Sequence, residues 1–465
     1  MKHLLISIGA VTLLVSSASA QIDTLHKAHK PSTSQSGWGD SVTPAGDLDG
    51  DGVTDIIVGS FGHGLSTAAS VHSGASGDLL YELNTPFLPI WWSDGIVVID
   101  DEDGDGVAEI VLVAAQSGDS NSPNGILRVY SGADGSLLRH VPVEAGVSIP
   151  GHSQGGSINL GDIDGDGSAD ILCRASSSLG TYLPCAISSS TGALIHAAIP
   201  SAGGTVTGDL VVSMDDHDGD GFADFAVPVI QDWRTRIDIF SAATGALIRE
   251  LRPASGLPFM ANGEPAISIA DLDGDGLRDL AIGSGVLFSG RLLLISSADA
   301  SELTDWSCDS ASATCVGARV IEVPDISGDG HPDLISLGAP FTFSDPRNFF
   351  GLDPVSGEVL FEQSNPDGCA TYSSAKRFIS LPDVDGFGFP LLALSSCSLP
   401  EIHFQRVMPD IGTRVCASTP NSSGYPAVLD VHGTSSQGSD SLFLRVAHAA
   451  PSQALFFVYG SQAAQ

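Results

Sequence analysis

Basic residues are scarce in this chain: 19 Lys and Arg stand against 55 Asp and Glu in 465 residues, a formal net charge of −36. That balance excludes nucleic acid and anionic membrane as partners. Disorder, the usual alternative for an acidic chain, does not fit 42% hydrophobic residues and acids gathered in clusters. No C-x-x-C pair occurs, which argues against a zinc site or redox dithiol. There is no G-x-S-x-G, no H-E-x-x-H and no P-loop. Histidines such as His63, His72, His140, His152, His196, His217, His331, His403, His432 and His448 are scattered without a partner pattern, so no catalytic residues are assigned.

Long apolar runs are also missing, apart from one. Lys2 and His3 precede the twelve apolar residues 4–15, and Ala18-Ser19-Ala20 follows as a small-residue cleavage site. This reads as a signal peptide over residues 1–20, too short to span a membrane. The apolar tail near 443–459 is broken by Arg445, His448 and Pro451, so no transmembrane segment is expected. The protein is therefore expected to be secreted. Export permits disulfides. Neighbours among the seven cysteines suggest the pairs Cys173–Cys185, Cys308–Cys315 and Cys369–Cys397, with Cys416 left over, although spacing does not fix connectivity.

What the chain has in abundance is a repeat. "DLDGDGVTDIIVG" begins at Asp47, and counterparts begin at Asp101, Asp162, Asp216, Asp271 and Asp325. A seventh, "DVDGFGFPLLAL" from Asp383, is degraded. Steps between first aspartates are 54, 61, 54, 55, 54 and 58 residues. Eight residues upstream stand Gly39, Gly208, Gly263 and Gly317. Downstream come turn glycines at Gly77, Gly135, Gly192, Gly245, Gly357 and Gly412, with Ser301 in that place in the fifth repeat. Apolar runs such as Ile56-Ile57-Val58 are too short for helices and too apolar for surface loops. Sequences such as "SGADG" between apolar runs are hairpin turns. In the first unit, strands are expected near residues 38–46, 55–60, 67–73 and 77–84. Four strands in each unit and 54 glycines predict an all-β chain, a seven-bladed β-propeller over residues 36–418. Residues 21–35 are a lead-in, and 419–465 a small β-rich extension.

The acidic loops carry the chemistry. Numbered from its first aspartate, loop one has carboxylates at positions 1, 3, 5 and 9 (Asp47, Asp49, Asp51, Asp55) and a backbone carbonyl at position 7 (Val53). Loop two offers Asp101, Asp103, Asp105, Val107 and Glu109. Loop three offers Asp162, Asp164, Asp166, Ser168 and Asp170. Loop four offers Asp216, Asp218, Asp220, Phe222 and Asp224. Loop five offers Asp271, Asp273, Asp275, Leu277 and Asp279. Loop six offers Asp325, Ser327, Asp329, His331 and Asp333, its serine making it the weaker site. Hard cations take six to eight oxygens, and alternate side chains on a tight turn converge on one ion. Without a cation, four neighbouring carboxylates repel. The EF-hand acid at position 12 is absent, since Val58, Leu112, Cys173, Val227, Ile282 and Ser336 stand there. Calcium is expected in loops one to five and, more weakly, six; magnesium resists such dehydration. Loop seven, with Phe387 and Leu391 in ligand positions, is expected to hold none. Six calcium ions would move the formal charge from −36 to −24.

The pattern W/F-G…D-x-D-G-D-G-x-x-D-apolar-G resembles the FG-GAP, or VCBS, repeats of integrin alpha-subunit propellers and of many secreted bacterial proteins. The resemblance spans about 380 residues. It implies seven blades with calcium in the loop joining the first two strands of a blade, here in loops one to six. The stretch from Cys416 resembles a β-rich C-terminal module of secreted planctomycete-type proteins. That module usually runs further and holds a later cysteine, which implies a shortened module or truncated chain and an unpartnered Cys416. The expected role is a secreted binding or adhesion module for an extracellular protein or glycan, not an enzyme. Alternatives are a polysaccharide lyase on the same fold, for which basic residues are too few, and a structural matrix protein. Trp91-Trp92 offers a possible sugar platform, although Trp92 matches Trp38 in the repeat and so fits blade packing. The loops between blades, such as 85–92, 139–152 and 250–262, suit a ligand.

Overall fold

The computed structural model describes residues 21–32, 38–60, 67–84, 90–117, 124–149, 156–176, 182–201, 205–206, 211–231, 234–257, 266–284, 290–307, 315–339, 348–364, 378–381, 391–395, 401–408, 416–420, 426–432 and 443–447. Residues 22–407 form one compact unit. It is a seven-bladed β-propeller, as the repeat predicts. Blade one consists of Trp38–Gly46, Asp55–Ser60, Thr67–His72 and Leu79–Asn84, hydrogen-bonded in that order. Its antiparallel register places Ile56 opposite both Pro44 and His72. Blades two to six follow over residues 90–142, 158–197, 205–251, 266–307 and 315–364. In blade four the first strand is split: Thr205–Val206 and Val212–Ser213 both pair with Phe225–Gln231.

The strand after each acidic loop is apolar in succession rather than in alternation because both its faces are covered. Ile56, Ile57 and Val58 are all fully buried. Ile57 packs with Ile110 and Tyr130 of blade two, while Ile56 and Val58 pack with Leu391 and Phe404 of blade seven. A strand between two neighbouring sheets gains burial on both faces, roughly 1.5–3 kcal/mol for each large aliphatic side chain. The fourth strand lies at the sheet edge and is partly exposed, as in Leu79–Asn84.

Blade seven departs from the order of the repeat. Its inner strands are Phe378–Leu381, Leu391–Ser395 and Glu401–Met408, and its outer strand is Gln21–His29 from the other end of the chain. The segment read as a lead-in thus completes the ring. The expected seventh turn at Gly412 lies outside the described residues, as does the degraded acidic loop from Asp383. From Cys416, strands Cys416–Pro420, Pro426–His432 and Phe443–Ala447 form a separate three-stranded antiparallel sheet.

The turn between third and fourth strands is uniform. In blade one Gly77 N–H donates to Ser73 O at 2.8 Å and Ser73 N–H to Asp78 O at 2.9 Å. Gly77 sits at φ +79°, open to a residue without a Cβ. In blade five Ala300, not Ser301, occupies the glycine position: its N–H donates to Ser296 O at 3.0 Å, with φ +65°. The tight turn fixes the left-handed residue four places after its first carbonyl, which moves the reading by one.

The expected disulfide between Cys173 and Cys185 is not formed. The two are directly opposite on adjacent strands and buried, yet both thiols are free. The Cys185 thiol donates to the Ala175 carbonyl at 3.8 Å. Side chains of the other five cysteines lie outside the described residues.

Candidate metal centres

Each acidic loop is a closed set of carboxylate-to-backbone hydrogen bonds. In loop one, Asp47 accepts Gly50 N–H at 2.8 Å and Gly52 N–H at 2.9 Å. Asp49 accepts Asp51 N–H at 3.0 Å, and Asp51 accepts Val53 N–H at 2.8 Å. Asp55 Oδ2 accepts Leu48 N–H at 2.8 Å and Asp49 N–H at 3.3 Å, and its Oδ1 takes Gly74 N–H from the turn at 3.0 Å. Gly50 and Gly52 adopt φ +80° and +88°, which bends the backbone so that its N–H groups face inward.

The sequence therefore folds the loop around its own acids. In loops one to five the acids at positions 1, 3 and 9 converge, with one oxygen of each within 4.8 Å of the others: Asp47-Asp49-Asp55, Asp101-Asp103-Glu109, Asp162-Asp164-Asp170, Asp216-Asp218-Asp224 and Asp271-Asp273-Asp279. Position 5 stands outside these triads. Instead, Asp105, Asp166 and Asp220 accept serine hydroxyls of the turn, from Ser131 at 3.5 Å, Ser188 at 3.5 Å and Ser241 at 3.4 Å. Position 7 (Val53, Val107, Ser168, Phe222, Leu277, His331) donates its N–H to position 5. Loop six shows no convergent acid triad among the described residues. Its Ser327 hydroxyl donates to Asp325 at 3.2 Å.

Position 9 is the buried member of each triad, and its environment differs from that of position 1. Burial pushes the carboxyls of Asp55, Glu109 and Asp224 up, that of Asp279 to about 6, and those of Asp170 and Asp333 to about 7. Asp216 and Asp271, partly exposed at position 1, are held low chiefly by the N–H groups of Gly221 and Gly276. Asp170, Asp279 and Asp333 each keep a buried Oδ1 without a hydrogen-bond partner. A buried acid with an unsatisfied oxygen beside two further carboxylates, as at Asp170 and Asp279, fits a hard divalent cation, since every donor is oxygen.

Of the described histidines, His72 is plainly a core residue. His72 is fully buried, with Nδ1 3.2 Å from Gly77 O and Nε2 3.0 Å from Ser70 Oγ. Trp38 N–H donates to the same Ser70 Oγ at 2.9 Å, so Trp38 belongs to the core. The side chains of Trp91 and Trp92 lie outside the described residues.

One recurrent device was not anticipated. Four residues after the turn residue of blades one, three, four and five, the outer strand donates to the same turn carbonyl of the next blade, whereas Arg139 of blade two pairs with Glu102. Tyr81 donates to Gly132 O, and His196 Nε2 lies 2.6 Å from Ala242 O. Arg249 donates to Ser297 O at 3.1 Å and Thr304 to Pro354 O at 2.8 Å. His26, in the N-terminal strand, lies 3.0 Å from Gly74 O and so fills this role for blade seven. The signal was a polar residue at a fixed offset, but residue types differ and only the donor is shared.

A sequence profile described as the FG-GAP-like repeat matches residues 101–173, the whole of loop two through loop three. No curated protein matches the chain. Among solved structures, it is similar to the C-terminal WD40 domain of Sif2, at 13% identity and TM-score 0.42, over 78% of this chain and 81% of that one. It is similar to Chaetomium thermophilum Raptor, at 13% identity and TM-score 0.49, over 86% of this chain and 29% of that one. It is also similar to the exotype rhamnogalacturonan lyase YesX, at 14% identity and TM-score 0.40, over 83% and 75%. Among the described residues no helix is long and apolar enough to cross a membrane.

Proposed function

We propose, for a chain that belongs to the FG-GAP-like repeat family and folds as a seven-bladed β-propeller, a role as a secreted calcium-binding module that holds an extracellular protein or glycan. The observation that carries the reading is the recurrence of one acid triad, at positions 1, 3 and 9, in five consecutive blades. Calcium bound there would offset the charge of three carboxylates and tie the first strand of a blade to the second. The buried acid at position 9 holds the N–H group of position 2, and in loops one to three that of position 3 as well, so a cation at the triad also stiffens the loop.

This reading makes the protein a binder and not an enzyme. The acids that might serve as general acid and base are committed to backbone N–H groups, and basic residues are few. An oriented scaffold with variable connections between blades suits ligand capture. The test is a glycan and extracellular-protein array probed with the purified protein, with calcium and with chelator. Ligands retained only with calcium support the proposal. Turnover of an acidic polysaccharide, seen as new unsaturated ends, would replace it with the lyase reading.

A further inference from the structure

Two acidic side chains outside the triads reach from one blade to the position 8 peptide of the next. Glu102 occupies position 2 of loop two. Its N–H donates to Glu109, position 9 of its own loop, at 2.9 Å. Its Oε1 accepts the N–H of Ala169 at 3.0 Å, while Oε2 is paired with Arg139. Ala169 is position 8 of loop three and directly precedes Asp170.

Blade four reaches the same arrangement through a different residue. Asp215 immediately precedes loop four, and its carbonyl accepts Asp224 N–H at 3.2 Å. Its Oδ2 accepts the N–H of Arg278 at 2.7 Å. Arg278 is position 8 of loop five and directly precedes Asp279. Each bridging acid is thus held by position 9 of its own loop and grips the peptide beside position 9 of the following loop. The two acids next to the gripped peptides, Asp170 and Asp279, are fully buried and each keeps an unpartnered Oδ1.

Other junctions lack this grip on a position 8 peptide, although Glu322 of blade six accepts the N–H of Ala270 and, at 2.9 Å, the Arg278 guanidinium of blade five. Position 2 is Leu48, Ile163 or Leu272 in loops one, three and five, and Gly46, Gly161 and Ala270 precede those loops. Position 8 of loop six is Pro332, which has no N–H to offer.

We propose that loops two and three, and likewise loops four and five, fill with calcium as coupled pairs, with Glu102 and Asp215 as the positioning residues, while loop one fills alone. The proposal rests on the reading of the triads as calcium sites. Fixing Glu109 on a cation orders the backbone of Glu102, and the ordered side chain then holds Ala169, and through it Asp170, in place. The ordering cost is met once for both loops, so the second cation binds a prepared site. Such coupling is reciprocal: loop three helps loop two by the same factor.

A double-mutant cycle reads this directly. Amide hydrogen exchange is followed across residues 101–108 and 162–169 during calcium titration of the full chain. Asp164→Ala disables loop three. In the parent background it is expected to raise the calcium concentration that half-protects loop two about fivefold, the lower end of typical coupling. In the Glu102→Ala background the same substitution is expected to shift it less than about twofold, with loop one unaffected throughout. Equal shifts in both backgrounds, or none in the parent, overturn the coupling while leaving calcium binding intact. Loops unprotected at every calcium concentration overturn the calcium reading and the coupling with it. Asp273→Ala against Asp215→Ala, read at residues 216–223, repeats the cycle at loops four and five should Glu102→Ala not fold.

Discussion

Lys27 Nζ donates to Glu401 at 2.9 Å across a sequence separation of 374 residues. Around this contact, Ala28 is fully buried, and His26 stacks on Phe404 with ring centroids 4.2 Å apart. The ion pair is partly exposed, so Lys27→Ala is expected to cost less than about 1 kcal/mol. Deleting residues 21–29 uncovers Phe404 and leaves an unpaired edge on Glu401–Met408. That deletion is expected to cost several times as much in a urea titration. A deletion as mild as Lys27→Ala would show that the N-terminal strand does not close the ring.

Chelation is expected to lower the melting temperature, with calcium restoring it better than magnesium. A site at ten times its Kd contributes about 1.4 kcal/mol by mass action. Asp273→Ala in loop five is expected to reproduce part of the fall, and Asp385→Ala in the degraded loop seven to do little. A melting curve indifferent to chelator would remove calcium from the scaffold.

Ala300 is the one non-glycine residue with positive φ among those described. A Cβ in this region is strained by roughly 1 kcal/mol. Ala300→Gly is therefore expected to raise stability, offset in part by the freedom glycine adds to the unfolded chain. Its urea midpoint should move upward, whereas Gly77→Ala at the equivalent turn should move downward. For Gly77 the added Cβ would also lie 2.7 Å from Lys27 O.

Burial lowers the pKa of His72 to about 4. The folded chain keeps this ring neutral, while the unfolded chain takes up a proton near pH 6.5. The stabilisation is thus fully present above pH 6.5 and is lost as pH falls toward 4, on the order of 3 kcal/mol in total. Replacing the ring by His72→Leu should flatten the fall of stability between those pH values. An unchanged slope in that window would contradict the burial of His72.

Burial also pushes the Cys185 thiol up to about 12 and raises that of Cys173. Both should resist thiol-specific reagents in the folded protein and react once it is denatured, without reductant. Thiols that stay unreactive after denaturation, and appear only on reduction, would establish the cross-strand disulfide.

Blade one was legible in the sequence nearly strand for strand, because its second strand is apolar on both faces and its turns carry glycine. The acid spacing likewise located the triads at Asp47, Asp49 and Asp55. Position 5 was read as a ligand because it alternates with them; in loops two, three and four its carboxylate also meets a turn serine of the following hairpin, a contact the spacing did not reveal. The N-terminal strand was not legible: His26, Lys27 and His29 give it a polar look, and its partner lies far along the chain. Glu102 and Asp215 escaped notice because they sit at different loop positions, and only the fold brings both beside a position 8 peptide. Ala300 was misread since neighbouring Ser301 is also small, and only the hydrogen-bond pattern separates them.

The closing strand also sets an order in time. Residues 21–29 leave the ribosome early, but their partner, Glu401–Met408, leaves it more than 370 residues later. At typical synthesis speeds that delay is roughly 20–75 s. For that interval the first strand has no sheet to join, and the turn at Gly77, which packs on Lys27 in the finished ring, has no outer strand beneath it. Blade one must wait with one flank bare while blades two to six stack on the other. A waiting strand can be captured by the wrong edge, including that of a second copy. Its lysine and histidines, which hid it in the sequence, are what keep such a strand soluble until blade seven arrives.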